Sequence, residues 1–472
     1  MGERGTPRLT ADHVIAVLKQ HDFSLAGQSG SHQKWRNKVT AEQVIVAYHR
    51  GRLLPLGNTR SIIEGSGIQS RRAYPDPSSP GFPRYLKSPS RLFLPQCASF
   101  CSVKISAMAR ALALLLLSAS AWAQDPARDV LAPGLQPTEA DYNISNFTFK
   151  SREKLTDLRL HYTTLGHPSR DAITGHVNNA VIVMHGTGGS GRQFLGEAFG
   201  GILFGKGQLL DSSRYYIILP DAIGHGKSSK PSDGLHAQFP HYRYDDMVRA
   251  AYLLLHDGLQ IDHLRLVMGT SMGGMHTWIW GEMYPDYMDA LMPLASATVE
   301  IVGRNRMFRS MVIDSIRGDA DWKNGEYTSP PRGLIAAQFA VFMMTSSPWQ
   351  LHKANPTYEK SDAAVQALKQ RALRADANDM LYQYESSTDY NPSPVLEKIK
   401  APLFAINSAD DDVNPPELGI MDSEIKRVVR GRYILIPTSD QTRGHGTHSR
   451  PIVWQSHLWE LLQISEPRGS AY

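Results

Sequence analysis

What most constrains this chain is a succession of short apolar runs: AVIVMHG from Ala180, YYIILPD from Tyr215, LRLVMG from Leu264, PLFAIN from Pro402 and YILIP from Tyr433. Gly, Pro or Asp bounds each run, and helical stretches separate them. Runs that stay apolar without alternating are strands buried on both faces, so a mostly parallel sheet with helices on both faces is expected from about Thr138 onward. NFTFKSREKLTDLRLHYTTLG, just before them, reads as an antiparallel opening pair. The composition, 42% hydrophobic and 20% charged, supplies a sizeable core and argues against wholesale disorder or a many-span membrane protein.

One run ends in Gly269-Thr270-Ser271-Met272-Gly273-Gly274, followed by MHTWIWGEMY, which reads as an amphipathic helix. A G-x-S-x-G pentapeptide between strand and helix is the context of a nucleophile elbow. The tight turn forces the serine into a strained backbone geometry, and glycines two residues to either side remove the side chains that would clash. Ser271 is then the candidate nucleophile, and the backbone N–H of Met272 points where an oxyanion would form. A second donor is expected from the Gly-rich loop after AVIVM, where Thr187 follows His185-Gly186; that loop lacks the lysine of a phosphate-binding loop.

A serine hydroxyl needs a base and an orienting carboxylate, which follow it here in the order Ser, Asp or Glu, His. After PLFAIN come Asp410, Asp411 and Asp412; after YILIP come His445 and His448. Each lies just past a strand's C-terminal end, where such sheets assemble their sites. Chemistry alone leaves the choice open among the three aspartates and between the two histidines, the unused ones being expected as solvated loop residues.

DAIGHGKSS, GTSMGGM, the DDDVNPP loop and the final Gly-His together resemble the homoserine O-acetyltransferase branch of the α/β-hydrolases, across roughly residues 138–465. The resemblance implies an α/β-hydrolase fold and an acyl-serine enzyme with a Ser271, Asp411, His445 triad. That branch sets its acid four residues before the loop's first proline and its histidine directly after a glycine. Thr187 and Met272 would form the oxyanion hole, and no metal or organic cofactor is called for. Thr270 stands where the family motif has a second glycine. Gly446 stands where true transferases carry an aspartate that helps hold the amino acid's ammonium group. Water is therefore expected as the acyl acceptor: an ester or amide hydrolase acting on a small-molecule acyl substrate, with an acetyl-CoA-dependent acyltransferase as the alternative. Residues 298–400 form an insertion too long for a simple connection, expected as a helical lid within a domain spanning 124–472.

Residues 1–107 differ in charge. They hold 15 Lys and Arg against 6 Asp and Glu, a net of +9, and the remainder holds 35 against 39, a net of −4. Both cysteines, Cys97 and Cys101, lie there, which excludes a cysteine nucleophile and thiolate metal sites from the rest. LTADHVIAVLKQHDF reads as a helix behind Thr10, VIVAYH as a strand, and LGNTRSIIEGSGI as a second helix. GSHQKW, Tyr48-His49 and LGNTRSIIEGSGI resemble the HicA-type toxins, small mRNA interferases with a fold like a double-stranded RNA-binding domain. That likeness implies a basic α+β module over residues 1–70. His32 would be its catalytic residue, and Lys34, Arg36, Arg50 and Arg52 would meet RNA phosphates. Gln33 stands where that family often has a second histidine.

Residues 71–107 are Pro-, Ser- and Arg-rich and read as a linker. Residues 108–123 carry a signal peptide's parts: Arg110, an uncharged run from Ala111 to Ala123, and Ala121-Trp122-Ala123 as a small-x-small cleavage site. The run is shorter than the roughly 20 residues a bilayer-spanning helix needs. Met108 is then expected to be a true start and the domain to be exported, periplasmic or secreted; read from Met1, the protein would be cytoplasmic.

Overall fold

The computed structural model describes residues 11–29, 32–37, 39–40, 43–47, 131–172 and 175–466. The chain divides into two compact units, Met1–Val103 and Lys104–Tyr472. In the first, α1 (Ala11–Gln20) precedes a three-stranded antiparallel sheet of β1 (Phe23–Ser29), β2 (His32–Asn37) and β3 (Gln43–Ala47). Val14, Ile15 and Leu18 fall on one helical face and close over Phe23, Trp35, Val44 and Val46. The expected second helix, the linker and the signal-like segment lie outside the described residues.

The second unit is built on an eight-stranded sheet in the order β11-β10-β9-β8-β6-β7-β5-β4. β4 (Thr138–Thr148) and β5 (Lys154–Leu165) form the antiparallel opening pair. β5 runs antiparallel to β7 (Tyr216–Pro220). All further pairings, through β6 (Ala180–Met184), β8 (Leu266–Thr270), β9 (Leu291–Leu294), β10 (Leu403–Ser408) and β11 (Gly431–Ile436), are parallel. Strand alternation feeds two cores. Ile182, Met184 and Val267 enter one with Met275 and Trp278, while Val181, Val183, Leu266 and Met268 enter the other with Trp454, Leu458 and Leu461. The sheet thus has helices on both faces, among them α2 (Tyr244–Leu253), α3 (Met272–Met283) and α9 (Pro451–Ile464).

β9 was not among the runs expected from sequence: it is four residues long, contains Pro293, and sits in ALMPLASA without a polar boundary. α3 also differs from expectation. Met272 to Gly281 are all buried, so it is a central helix rather than an amphipathic one, packed on β8, β9 and α2.

Between β9 and β10 stand α4 (Gly303–Arg317), α5 (Gly333–Thr345), α6 (Pro348–Ala354), α7 (Tyr358–Ala372) and α8 (Ala377–Glu385). They carry a core of their own, in which Phe308, Val312, Ile316, Leu334 and Leu381 meet Val413 of the loop after β10. The chain leaves β6 for β7 on one side and reaches β8 on the other. The strand order therefore reverses beside β6, and the crevice beyond the C-terminal ends of β6 and β8 is where sheets of this type bind ligands.

Candidate active site

Ser271 caps α3 with φ +55° and ψ −112°, outside the regions open to a side chain without cost, and such strain amounts to about 1–3 kcal/mol. The turn is held from both sides. Ser271 N–H donates to the Leu294 carbonyl at 2.8 Å, and Met275 N–H donates to the Ser271 carbonyl at 2.9 Å. A Cβ at Gly269 would lie 2.0 Å from the Gly273 oxygen, and one at Gly273 would lie 2.1 Å from the Met184 oxygen. The two flanking glycines are thus required by backbone packed against backbone.

His445 Nε2 lies 2.8 Å from Ser271 Oγ, and its Nδ1 lies 2.8 Å from Asp411 Oδ2. All three residues are buried, at 5%, 2% and 2% exposure. Burial pushes the Asp411 carboxyl up, but the His445 charge, the hydrogen bond from His445, the Asn414 side chain and the Val413 N–H outweigh it and hold it below its ordinary value. An ionised Asp411 only accepts, so Nδ1 carries the proton and Nε2 presents its lone pair to the serine hydroxyl. Val413 N–H, Asn414 N–H and Asn414 Nδ2 donate to the carboxylate at 2.8, 3.3 and 3.1 Å. The geometry therefore brings Ser271, His445 and Asp411 together.

Of the neighbouring candidates, Asp412 is a solvated loop residue as expected, whereas Asp410 and His448 are not. Asp410 is half-buried and accepts from Ser408 Oγ at 2.5 Å, Thr442 Oγ1 at 3.0 Å, Gly444 N–H at 3.0 Å and Ser347 Oγ at 3.2 Å. Asp412 pairs with Arg304 at 3.2 Å. His448 is buried edge-on to the His445 ring, 5.4 Å between centroids, with Nδ1 2.9 Å from Ser449 Oγ.

On the other side, the loop after β6 is tied to the elbow, because Gly273 N–H donates to the His185 carbonyl at 3.0 Å. His185 accepts from Ala222 N–H through Nε2 at 3.0 Å and holds the Gly186 carbonyl through Nδ1 at 2.8 Å. Its burial pushes its pKa down, so it acts as a neutral strut. Thr187 is buried two residues on, and Met272 opens α3, whose first N–H groups lack intrahelical partners. Asp221 pins the next turn, its two oxygens accepting from Gly191 N–H at 2.7 Å and Lys227 N–H at 2.8 Å. Sequence reasoning missed His185, Asp410 and Asn414 as supports; Asn414 alone left a signal, as an amide three residues past the acid.

In the first unit His32 opens β2, opposite Ser29 and Ala47, and its side chain lies outside the described residues, as do Arg50 and Arg52. Lys34 and Arg36 are exposed on either side of buried Trp35. Among the described residues no group of three or more His, Cys, Asp and Glu could hold a metal ion, and no helix is long and apolar enough to cross a membrane.

Residues 179–429 match the family model of the alpha/beta hydrolase fold, and residues 11–68 match that of the HicA toxin of bacterial toxin-antitoxin systems. A probable acyltransferase of Methanothermobacter thermautotrophicus is 29% identical over 278 residues, covering 59% of this chain and 84% of that protein. A homoserine O-acetyltransferase of Haemophilus influenzae is 28% identical over 307 residues, covering 61% of this chain and 80% of that protein. Among solved structures, the acetyl esterase MekB superposes with a TM-score of 0.60 at 24% identity, over 69% of this chain and 97% of its own, a likeness of fold alone.

Proposed function

The chain belongs to the alpha/beta hydrolase fold family, and on that premise we propose that its large unit is an exported ester or amide hydrolase working through an acyl-Ser271 intermediate. Ser271 Oγ attacks the acyl carbonyl as its proton passes to His445 Nε2, and Asp411 stabilises the imidazolium. The Thr187 and Met272 N–H groups receive the charge that develops on the carbonyl oxygen. His445 then returns the proton to the leaving alcohol or amine. Water, deprotonated by the same imidazole, adds to the acyl-serine and releases the acid.

The observation that carries this reading is the pair of 2.8 Å contacts linking Asp411, His445 and a strained, nearly buried serine. Hydrolysis is preferred to transfer because Gly446 has no side chain with which to hold an ammonium group. The relatives favour a second reading, acetyl transfer to a small alcohol such as homoserine. Release of p-nitrophenol from short-chain esters, measured beside acetyl transfer from acetyl-CoA to homoserine, separates them: hydrolysis without transfer is expected, and transfer without hydrolysis overturns the preference. For the first unit, exposed Lys34 and Arg36 support RNA binding; retention of RNA that weakens with salt is its test.

A further inference from the structure

Behind Asp411 lies a cavity of about 520 Å³, between the segment after β9 and the segment after β10, within the size range of small-molecule pockets. Val413 and Asn414, whose N–H groups hold the Asp411 carboxylate, line it; Ser271, His445 and Thr187 do not. It adjoins the carboxylate end of the relay, away from the reacting hydroxyl.

Much of its wall is apolar, with Val299, Ile301, Leu418 and Met421. Glu300, Glu417 and Asp422 stand exposed on it, and none makes a hydrogen bond or ion pair with another described residue. Arg304, the one cation among its described lining residues, is already paired with Asp412. Burial first, then the charges of Asp422 and Asp411, push the Tyr433 hydroxyl on the same wall up to about 12. Asn414 is 8% exposed, and its Oδ1 accepts no hydrogen bond from a described residue while its Nδ2 is committed to Asp411. A buried amide oxygen left unpaired is costly, so the bond from Nδ2 to Asp411 is what fixes the Asn414 side chain.

We propose that this cavity is a binding site for a small organic ammonium ion with an apolar body, and that its occupancy acts on the hold that Val413 and Asn414 keep on Asp411. The apolar body matches the wall, and the positive charge answers three carboxylates that no described residue pairs. An anion of the same shape meets a wall whose one cation, Arg304, is already paired, and a neutral alcohol forgoes the Coulomb attraction.

Binding of phenethylammonium to the full chain, measured by titration calorimetry beside 2-phenylethanol and 3-phenylpropanoate, tests the site. The cation is expected to bind at least about tenfold more tightly than the alcohol, and Glu300→Gln with Asp422→Asn to weaken the cation about tenfold and leave the alcohol unchanged. Both residues are exposed, so the variant keeps the fold. Absence of cation binding, equal affinity for cation and alcohol, or cation binding that survives the double substitution overturns the proposal. The downfield proton resonance of His445 Nδ1–H is expected to shift on saturation with the cation; an unmoved resonance overturns the coupling to Asp411. Neither readout depends on turnover, so a failure here is distinct from a failure of the hydrolase reading.

Discussion

The N–H of Gly444 donates to Asp410 Oδ2 at 3.0 Å, so the residues just before His445 and just before Asp411 are joined alongside the His445–Asp411 hydrogen bond itself. The same oxygen accepts from Thr442 and from Ser347, which caps α6 of the helical insertion. Asp410 is therefore a positioning residue that fixes the histidine loop relative to the acid loop and the insertion. Asp410→Ala is expected to lower kcat about 10- to 100-fold with little change in KM, and Asp410→Asn to recover part of it, as for other residues that orient a functional side chain. Steady-state kinetics beside a thermal melt checks this; equal losses in both variants would reduce Asp410 to a general stabiliser.

The elbow glycines differ from ordinary loop glycines in what surrounds them. Gly273→Ala forces a methyl to 2.1 Å from the Met184 oxygen and is expected to cost more than about 3 kcal/mol, whereas Gly196→Ala, with nothing within 4 Å, stays within about 0.5 kcal/mol. Urea unfolding of the two variants is the comparison.

Strain at Ser271 predicts a second pair. Ser271→Ala and Ser271→Gly both remove the hydroxyl, but only glycine adopts φ +55° and ψ −112° freely. The glycine variant is expected to be the more stable by about 1 kcal/mol, with activity lost in both. Equal stability would mean that the backbone relaxes once the hydroxyl is gone.

Glu282, near the end of α3, is pushed from its ordinary 4.5 to about 8 by burial first and then by the Asp245 charge. Between those values the folded state holds a proton that the unfolded chain has released, so stability falls as pH rises through that window. Asp411 has the opposite slope: its contribution is full above its ordinary 3.8 and is lost as pH falls through its lower folded value. Glu282→Gln is expected to flatten the upper slope and, at alkaline pH, to exceed the parent by about 1–3 kcal/mol. Denaturant curves at mildly acidic and alkaline pH check it; parallel pH profiles would contradict it.

Legibility followed the range of the forces involved. The buried strands were readable because parallel pairing leaves no polar face, and the elbow because Gly269 and Gly273 answer steric demands within a few residues. Asp411 could not be told from Asp410 or Asp412 by chemistry, since the three differ only in what the fold brings to them: His445, 34 residues away, or Ser347, 63 residues away. β9 escaped notice because four residues with a proline carry too little pattern. The cavity behind Asp411 joins segments remote in sequence, and no local motif announces such a surface.

In the proposed reaction Ser271 is a nucleophile activated by His445 and Asp411. Treatment of the full chain with a fluorophosphonate probe, followed by peptide mass spectrometry, tests it most directly. One phosphonylated residue, Ser271, is expected, with labelling lost in His445→Ala and slowed several orders of magnitude in Asp411→Asn. A chain that stays unlabelled, or that labels at another serine as fast in His445→Ala as in the parent, would contradict it.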